Sequence, residues 1–356
     1  MHRTLPAAFA AFARWSLRLR STSSTEPAIA GAGRPPPLRV APNSQAVRDT
    51  ANAFLRKSIL AAAQNGEVRG FVGRHGMRLG AARFVAGETL DEAVPVLRRL
   101  NEQGLAANTT LLGEDTASEK DAAGVADEYG RILERIHGEG LWVNVALKLT
   151  HLGLALGEEV AHENVERVVE RAAELDNFVR MDMEASRWVD PTLETYRRLR
   201  SSGHDNVGTV LQSYLYRTPH DLDELLPLRP NLRLVKGAYL EPPDVAYPAK
   251  EDVDAAYVRL LERALEGGAY PCVATHDERL IEHAIAFSER EGIPRDRFEF
   301  QMLYGVRPKL QRDLAARGYK VLVATPFGPE WFPYLMRRMA ERPANLAFVL
   351  RTVLRH

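Results

Sequence analysis

Asn231–Tyr239 reads Asn-Leu-Arg-Leu-Val-Lys-Gly-Ala-Tyr, a short apolar run interrupted by two cations. Its length and its leucines and valine are those of a buried strand. Strand alternation places Arg233 on one face with Val235, Gly237 and Tyr239, and Lys236 on the other. Gly237 permits close backbone approach. Seven more runs of this kind occur, at Ala107–Gly113, Trp142–Thr150, Asn177–Ala185, Val207–Tyr214, Tyr270–Asp277, Phe298–Gly305 and Lys320–Gly328. Helical spacing fills the gaps, as at Asp121–His137, His162–Leu175, Asp190–Ser202, Asp252–Glu266, Glu278–Glu291 and Pro308–Arg317. Eight strand-then-helix units in about 250 residues have the size and rhythm of a (β/α)₈ barrel of the α/β class. A doubly wound sheet also alternates but usually needs fewer strands.

Polar residues gather toward the C-terminal ends of the runs. Glu114 follows the first; Lys148 stands in the second, Asp182 and Glu184 in the third, Gln212 in the fourth. Tyr239 closes the fifth, Thr275 and His276 the sixth, and Gln301 and Tyr304 belong to the seventh. In a barrel of this type the C-terminal face carries the chemistry, so this gradient marks a site. Residues lining the interior are expected to be apolar, so an inward Arg233 wants an anion or an electron-rich ring, or a salt bridge to a neighbouring strand.

The 356 residues carry no net charge, which argues against nucleic-acid binding. Apolar residues make up 45% and charged residues 26%, the balance of a soluble enzyme. Cys272 is the single cysteine, which excludes an intrachain disulfide and suits a reducing compartment. No run of about 18 apolar residues is present to span a membrane. Met1–Thr25 holds four arginines and no acid, with serines and threonines at Ser21–Thr25, and Gly31–Pro42 is rich in glycine and proline. That is transit-peptide composition, and equally that of a disordered or non-native extension. The expected organisation is therefore an extension at 1–45, a helical arm and first outer helix at 46–104 (Ser44–Asn65 and Thr89–Gln103, joined past Gly80–Phe84), and the barrel at 105–356.

Trp331–Arg342, Trp-Phe-Pro-Tyr-Leu-Met-Arg-Arg-Met-Ala-Glu-Arg, reads as a helix with Pro333 in its first turn. Tyr334 and Glu341 lie three residues to either side of Arg337 and Arg338, close enough to share a face with one of them. Two guanidiniums there can grip one carboxylate by parallel charge-assisted bonds. A solvated basic face is the plainer alternative. The helix follows the last strand, so it begins at the catalytic end and can lie over the mouth.

Lys148 and Asp182 come from adjacent strands and can pair, as a structural ion pair, a carboxylate site or the setting of a Schiff-base nucleophile. His276, in Thr275-His276-Asp277, is structural or functional. The histidines show no metal-ligand spacing, so no metal is expected. P-loop, nucleophile-elbow and dinucleotide fingerprints are absent.

Leu232–Tyr239, Glu299–Gly305 (Glu-Phe-Gln-Met-Leu-Tyr-Gly), Ala274-Thr275-His276 and Tyr334-x-x-Arg337-Arg338-x-x-Glu341 together resemble the proline dehydrogenase family, in its short monofunctional bacterial type. The resemblance runs from about Arg83 to the end. It implies a distorted (β/α)₈ barrel that holds FAD noncovalently, oxidises L-proline to Δ¹-pyrroline-5-carboxylate and passes electrons to a membrane quinone. A pyrroline-5-carboxylate dehydrogenase would act downstream. By resemblance Arg337, Arg338 and Lys148 hold the proline carboxylate, and Tyr239, Leu303 and Tyr334 pack on its ring. Asp182 bonds Lys148, and Arg233 sits near flavin N5. Met183, Gln212, Lys236, Gly237, Ala238, Thr275, His276 and Gln301 line the FAD, and Glu341 orients the arginines. Ala324 stands where some relatives of the larger bifunctional type carry a tyrosine, which bears on how the ring is enclosed and on 4-hydroxyproline as a substrate. A cytoplasmic enzyme, peripheral at the inner membrane through its quinone, is the expectation. A Schiff-base aldolase or lyase using Lys148 or Lys236 and a non-catalytic amino-acid-binding barrel are the competing readings.

Overall fold

The structure is a computed structural model that describes residues 81–341, with side chains as far as residue 336. The expected extension, and the expected helix Ser44–Asn65, lie outside the described residues. Two compact units divide the chain, Arg83–Trp331 and a second to which Phe332 onward belongs.

Arg83–Trp331 contains eight parallel strands closed into a barrel in sequence order. They are β1 (Ala106–Leu111), β2 (Val143–Lys148), β3 (Val179–Asp182), β4 (Val207–Gln212), β5 (Asn231–Val235), β6 (Tyr270–Ala274), β7 (Glu299–Leu303) and β8 (Val321–Phe327). The seam is β1 against β8, paired from Ala106↔Leu322 to Leu111↔Phe327. Helix α1 (Leu90–Glu102) precedes β1. The helices α2 (Glu119–Gly138), α3 (Glu158–Glu174), α4 (Val189–Ser201), α5 (Thr218–Leu225), α6 (Lys250–Glu266), α7 (Glu278–Arg290) and α8 (Pro308–Ala316) follow β1 to β7 in turn. All eight expected strands and all six named helices are present. Several helices start a few residues earlier than their apolar spacing indicates. The eight-residue α5 is not marked by that spacing at all, being short and having prolines nearby.

Local chemistry fixes the boundaries. Thr89 caps α1 by accepting from Glu92 N, and Ser118 caps α2 by accepting from Asp121 N. Each helix from α1 to α8 is followed by a residue in the left-handed region before the next strand: Gly104, Gly140, Asp176, Gly203, Arg229, Gly268, Gly292 and Gly318. Glycine serves at all but two of these, because a left-handed turn there costs an L side chain energy.

One expectation about the barrel is corrected. Its interior is polar as well as apolar. On β3, β5 and β7 the pairs Arg180/Asp182, Asn231/Arg233 and Glu299/Gln301 are two residues apart, so each pair shares a face. Alternate strands of such a barrel contribute the side chains of one layer. Arg180, Asn231 and Glu299 form the lower layer, and Asp182, Arg233 and Gln301 the upper one. Arg180 Nη1 donates to the carbonyls of Thr209 and Asn231, each at 2.7 Å, and its Nη2 to the Asn231 side chain. Cys272 lies against the same pair, and burial with the nearby Glu299 pushes its thiol up to about 12, so it stays protonated.

Gly208 makes room for this plug. A Cβ there would come within 2.5 Å of Arg180 Nη1 and Asn231 O and 2.8 Å of Phe178 Cζ. Gly208→Ala is expected to destabilise the fold by about 1–3 kcal/mol through overpacking. Chemical denaturation checks it, and an unchanged midpoint would mean that the arginine plug is looser than its bonds indicate.

Candidate active site

The C-terminal mouth is organised by one guanidinium. Arg233 projects inward from β5 and is 9% exposed. Its Nη1 donates to Asp182 Oδ1 at 2.7 Å on β3, its Nη2 to Asn108 Oδ1 at 3.2 Å on β1, and its Nε to Gln301 Oε1 on β7. The salt bridge expected for Arg233 therefore exists, but it reaches across the barrel to the strand beyond the neighbouring one. Burial pushes the guanidinium pKa down and Asp182 pulls it back up, and an arginine so paired stays charged. A guanidinium carries five N–H groups, and these three bonds leave one on each Nη without a partner among the described residues.

Lys148 and Asp182 end their strands in register, and Lys148 Nζ lies 3.6 Å from Asp182 Oδ2. Asp182 thus stands between two cations, with Arg233 the closer. Behind it Glu184 is buried, accepting from Thr150 N at 3.1 Å and Thr150 Oγ1 at 2.8 Å. Burial raises the Glu184 pKa, and the charge of Lys148 works against the rise. The Glu184 carbonyl accepts from Gln212 Nε2 at 3.2 Å, which fixes that amide and leaves Gln212 Oε1 buried without a hydrogen-bond partner among the described residues. A buried acceptor in that condition is expensive unless something donates to it.

The loops after β5, β6 and β7 complete the rim. Strand β5 stops at Val235, so the alternation expected to carry through Gly237 and Tyr239 ends there. Gly237 has φ +113°, and a Cβ on it would come within 2.2 Å of the Tyr214 ring. The close approach expected at this glycine is thus made by Tyr214. Lys236 points away from the barrel axis, to Asp254 at 2.5 Å on α6 and Asp277 at 3.3 Å ahead of α7. Arg279 and then Lys236 hold the Asp277 carboxyl far below the ordinary range. His276 Nε2 accepts from Leu303 N at 2.9 Å, which places its ring hydrogen on Nδ1. Thr275 is buried, and its hydroxyl accepts from Asp277 N at 3.1 Å.

Among the expected residues, Lys148, Asp182, Arg233 and Gln301 are joined by contact, and Gln212 reaches them through Glu184. Met183 is buried one residue past β3, Leu303 ends β7, and Ala238 and Tyr239 follow β5 in the loop. Ala324 pairs with Leu303 across the β7–β8 ladder. Helix α9 (Trp331–Glu341) forms as expected. In it Tyr334 is half-buried, while the side chains of Arg337, Arg338 and Glu341 lie outside those described. Asn108, Arg180, Asn231 and Glu299 are not among the residues expected from sequence. The signal for the last three is the repeated polar pair two residues apart in β3, β5 and β7; Asn108, in β1, has no such pair.

A family model described as proline dehydrogenase matches residues 93–351. The chain belongs to the proline dehydrogenase family. It is 44% identical over 302 residues to proline dehydrogenase 1 of Bacillus subtilis, covering 85% of this chain and 100% of that one. With the proline dehydrogenase of Deinococcus radiodurans it shares 44% over 304 residues, 84% of this chain and 98% of the relative. Among solved structures, proline utilization A from Bdellovibrio bacteriovorus, inactivated by N-propargylglycine, superposes with a TM-score of 0.72 at 25% identity. That match covers 82% of this chain and 37% of the longer one. Among the described residues no helix is long and apolar enough to cross a membrane.

One further side chain stands at the mouth. His151 follows Lys148 by three residues, and its ring lies on Gly113, where a Cβ would come within 2.2 Å of it. Its Nδ1 is buried without a partner among the described residues. Burial first, and Lys148 second, lower its pKa from 6.5 to about 4. Folding then favours the neutral ring, so this contribution to stability is complete above about pH 6.5 and declines as the pH falls toward 4. An NMR titration of His151 is expected to show a midpoint near 4, rising only in part in Lys148→Met because burial is the larger cause. A midpoint near 6.5 would mean that the ring is solvated.

Proposed function

We propose that this chain oxidises L-proline to Δ¹-pyrroline-5-carboxylate, with FAD held noncovalently at the C-terminal mouth of the barrel and a quinone as the final electron acceptor. The observation that carries the reading is full-length kinship with proteins named proline dehydrogenase. The mouth suits the cofactor. Gln212 Oε1 is a fixed, buried acceptor in need of a donor, and an isoalloxazine edge has one. Arg233 has guanidinium hydrogens to spare beside it. Met183, Lys236, Gly237, Ala238, Thr275, His276 and Gln301 are the other residues assigned to the cofactor. FAD, when bound, supplies an acceptor for a hydride.

The chain's own residues must bind, aim and adjust the charge of a small zwitterion. Lys148 and Arg233 bring two positive charges to the mouth on either side of Asp182, a setting in which a substrate carboxylate would find a cation to meet. Arg337 and Arg338, with Lys148, are assigned to that carboxylate, and Glu341 to the orientation of the arginine pair. Tyr239, Leu303 and Tyr334 are assigned to the ring. Held by its carboxylate handle, proline would present its C5 hydrogen in one direction, and orientation of this kind is worth several kcal/mol of a barrier. The surrounding cations also lower the amine pKa by like-charge repulsion, favouring the neutral amine whose lone pair assists departure of the hydride. Arg233 would stabilise negative charge arriving beside it.

The purified protein is expected to be yellow, and its visible bands to bleach when proline is added anaerobically. A colourless protein trapped by borohydride with its substrate would instead support the Schiff-base reading on Lys148. Proline binding with no bleaching would support the binding-module reading. Arg337→Met or Arg338→Met is expected to raise KM for proline by roughly 10- to 1000-fold. Steady-state kinetics on both variants check the clamp, and two unchanged KM values would remove it.

A further inference from the structure

The guanidinium at the mouth takes its orientation from a carboxylate lower in the barrel. Arg233 Nε donates to Gln301 Oε1, which leaves the Gln301 amide nitrogen facing the other way. That nitrogen donates to Glu299 Oε1 at 2.6 Å. Glu299 opens β7, is 3% exposed, and receives Lys320 Nζ at 2.7 Å and Tyr270 OH at 3.1 Å. Lys320 stands one residue before β8, so both charges lie toward the N-terminal end, whereas Lys148 and Asp182 end their strands at the other.

A primary amide has one accepting end and one donating end. An ionised carboxylate only accepts, so it draws the donating end to itself and turns the oxygen toward Arg233. A protonated carboxyl can donate to the amide oxygen instead. A turned amide would then aim its N–H groups at a guanidinium that has no acceptor to offer, and Arg233 would lose one of its three anchors.

We propose that Glu299 and Lys320 are positioning residues for the active site: Lys320 keeps Glu299 ionised, Glu299 fixes the Gln301 amide, and Gln301 fixes the guanidinium of Arg233. The groups facing Glu299 are Lys320 from the start of β8, Tyr270 and Cys272 from β6, Arg180 from β3, and Arg233 from β5. Burial raises the Glu299 pKa, but the charge and hydrogen bond of Lys320, the bond from Gln301 and the charge of Arg180 together bring it below its ordinary value. Tyr270 and Cys272 are both pushed upward by burial and stay neutral. Lys320 is the one of these cations with a largely exposed side chain, 40%, and is the practical place to intervene without disturbing the core. Without it the largest opponent of burial is gone, and the Glu299 carboxyl moves upward toward its protonated form.

The inference rests on the proposed function only for its kinetic readout. The full chain carrying Lys320→Met or Lys320→Arg is compared with the parent after thermal melting shows all three folded. In protein labelled with ¹⁵N-arginine, the Arg233 Nε–H resonance is identified by its loss in Arg233→Lys. That resonance is expected to hold its position from pH 6 to 9 in the parent and in Lys320→Arg. In Lys320→Met it should move through a single titration and return to the parental position at high pH. Anaerobic flavin reduction by proline should be slower in Lys320→Met by about tenfold at pH 6, the scale of one lost bond to a charged group, and within about twofold of the parent at pH 9. Lys320→Arg should restore the parental rate at both. A Lys320→Met resonance that follows the parent at every pH, or a rate ratio that does not change with pH, would overturn the proposal. A parent protein that carries no flavin would defeat the functional reading instead, and the resonance would still decide this one.

Discussion

A guanidinium buried in the middle of a parallel barrel constrains everything around it. Water cannot serve its N–H groups there, and an unpaired charge at that depth would cost more than most single interactions contribute. Asn108, Asp182 and Gln301 meet the requirement, one from each of β1, β3 and β7, so Arg233 ties all four odd-numbered strands at one height. A tie of this type adds little net stability compared with a well-packed apolar layer, because desolvation cancels most of the attraction. What it provides is direction. With three hydrogen bonds on one rigid plane, the guanidinium has a single orientation.

The charge arrangement is set by the same constraint. Asp182 is shared between Arg233 at 2.7 Å and Lys148 at 3.6 Å, so one carboxylate faces two cations at the mouth. Below it Glu299 faces Lys320 and lies near Arg180. In the lower layer the excess is positive, Arg180 and Lys320 standing against Glu299. The lower excess is absorbed by carbonyls and by Asn231, which makes it structural. Lys236, equally basic in sequence, is neutralised by Asp254 and Asp277 outside the barrel and adds nothing to this balance.

Much of this is readable from the chain alone, because strand period and barrel layering are properties of the chain itself. Apolar runs locate all eight strands, and the polar residues at their ends locate the mouth. The left-handed residues are also legible, since Gly104, Gly140, Gly203, Gly268, Gly292 and Gly318 each stand within three residues of the end of a helix. What the sequence does not disclose is how far each strand continues. Lys236 to Tyr239 looks like more of β5, but Gly237 turns the chain to let Tyr214 in, and a contact between loops carries no local periodicity. The polar interior escapes a sequence reading because the expected filling of such a barrel is branched and apolar. Asn231 and Glu299 are strand beginnings in the sequence, and nothing local shows that they also form one rung of an interior layer.

The passage from β8 to Trp331 shows how the two ends of the barrel unit are joined. Gly328, with φ +132°, donates its N–H to Gly87 O at 3.0 Å, and a Cβ there would press on Leu112. Three residues on, the Trp331 indole donates to Glu88 Oε1 at 2.9 Å. Both partners belong to the segment just before α1, so the start of the chain's barrel unit grips its end. The grip is polar and sits where the last strand exits, on the side of the barrel where Lys148 and Asp182 end their strands. Trp331 opens α9, and Pro333, two residues later, sets the helical backbone angle of its first turn, so the strand hands over to the helix at a residue held by a hydrogen bond to the chain ahead of α1.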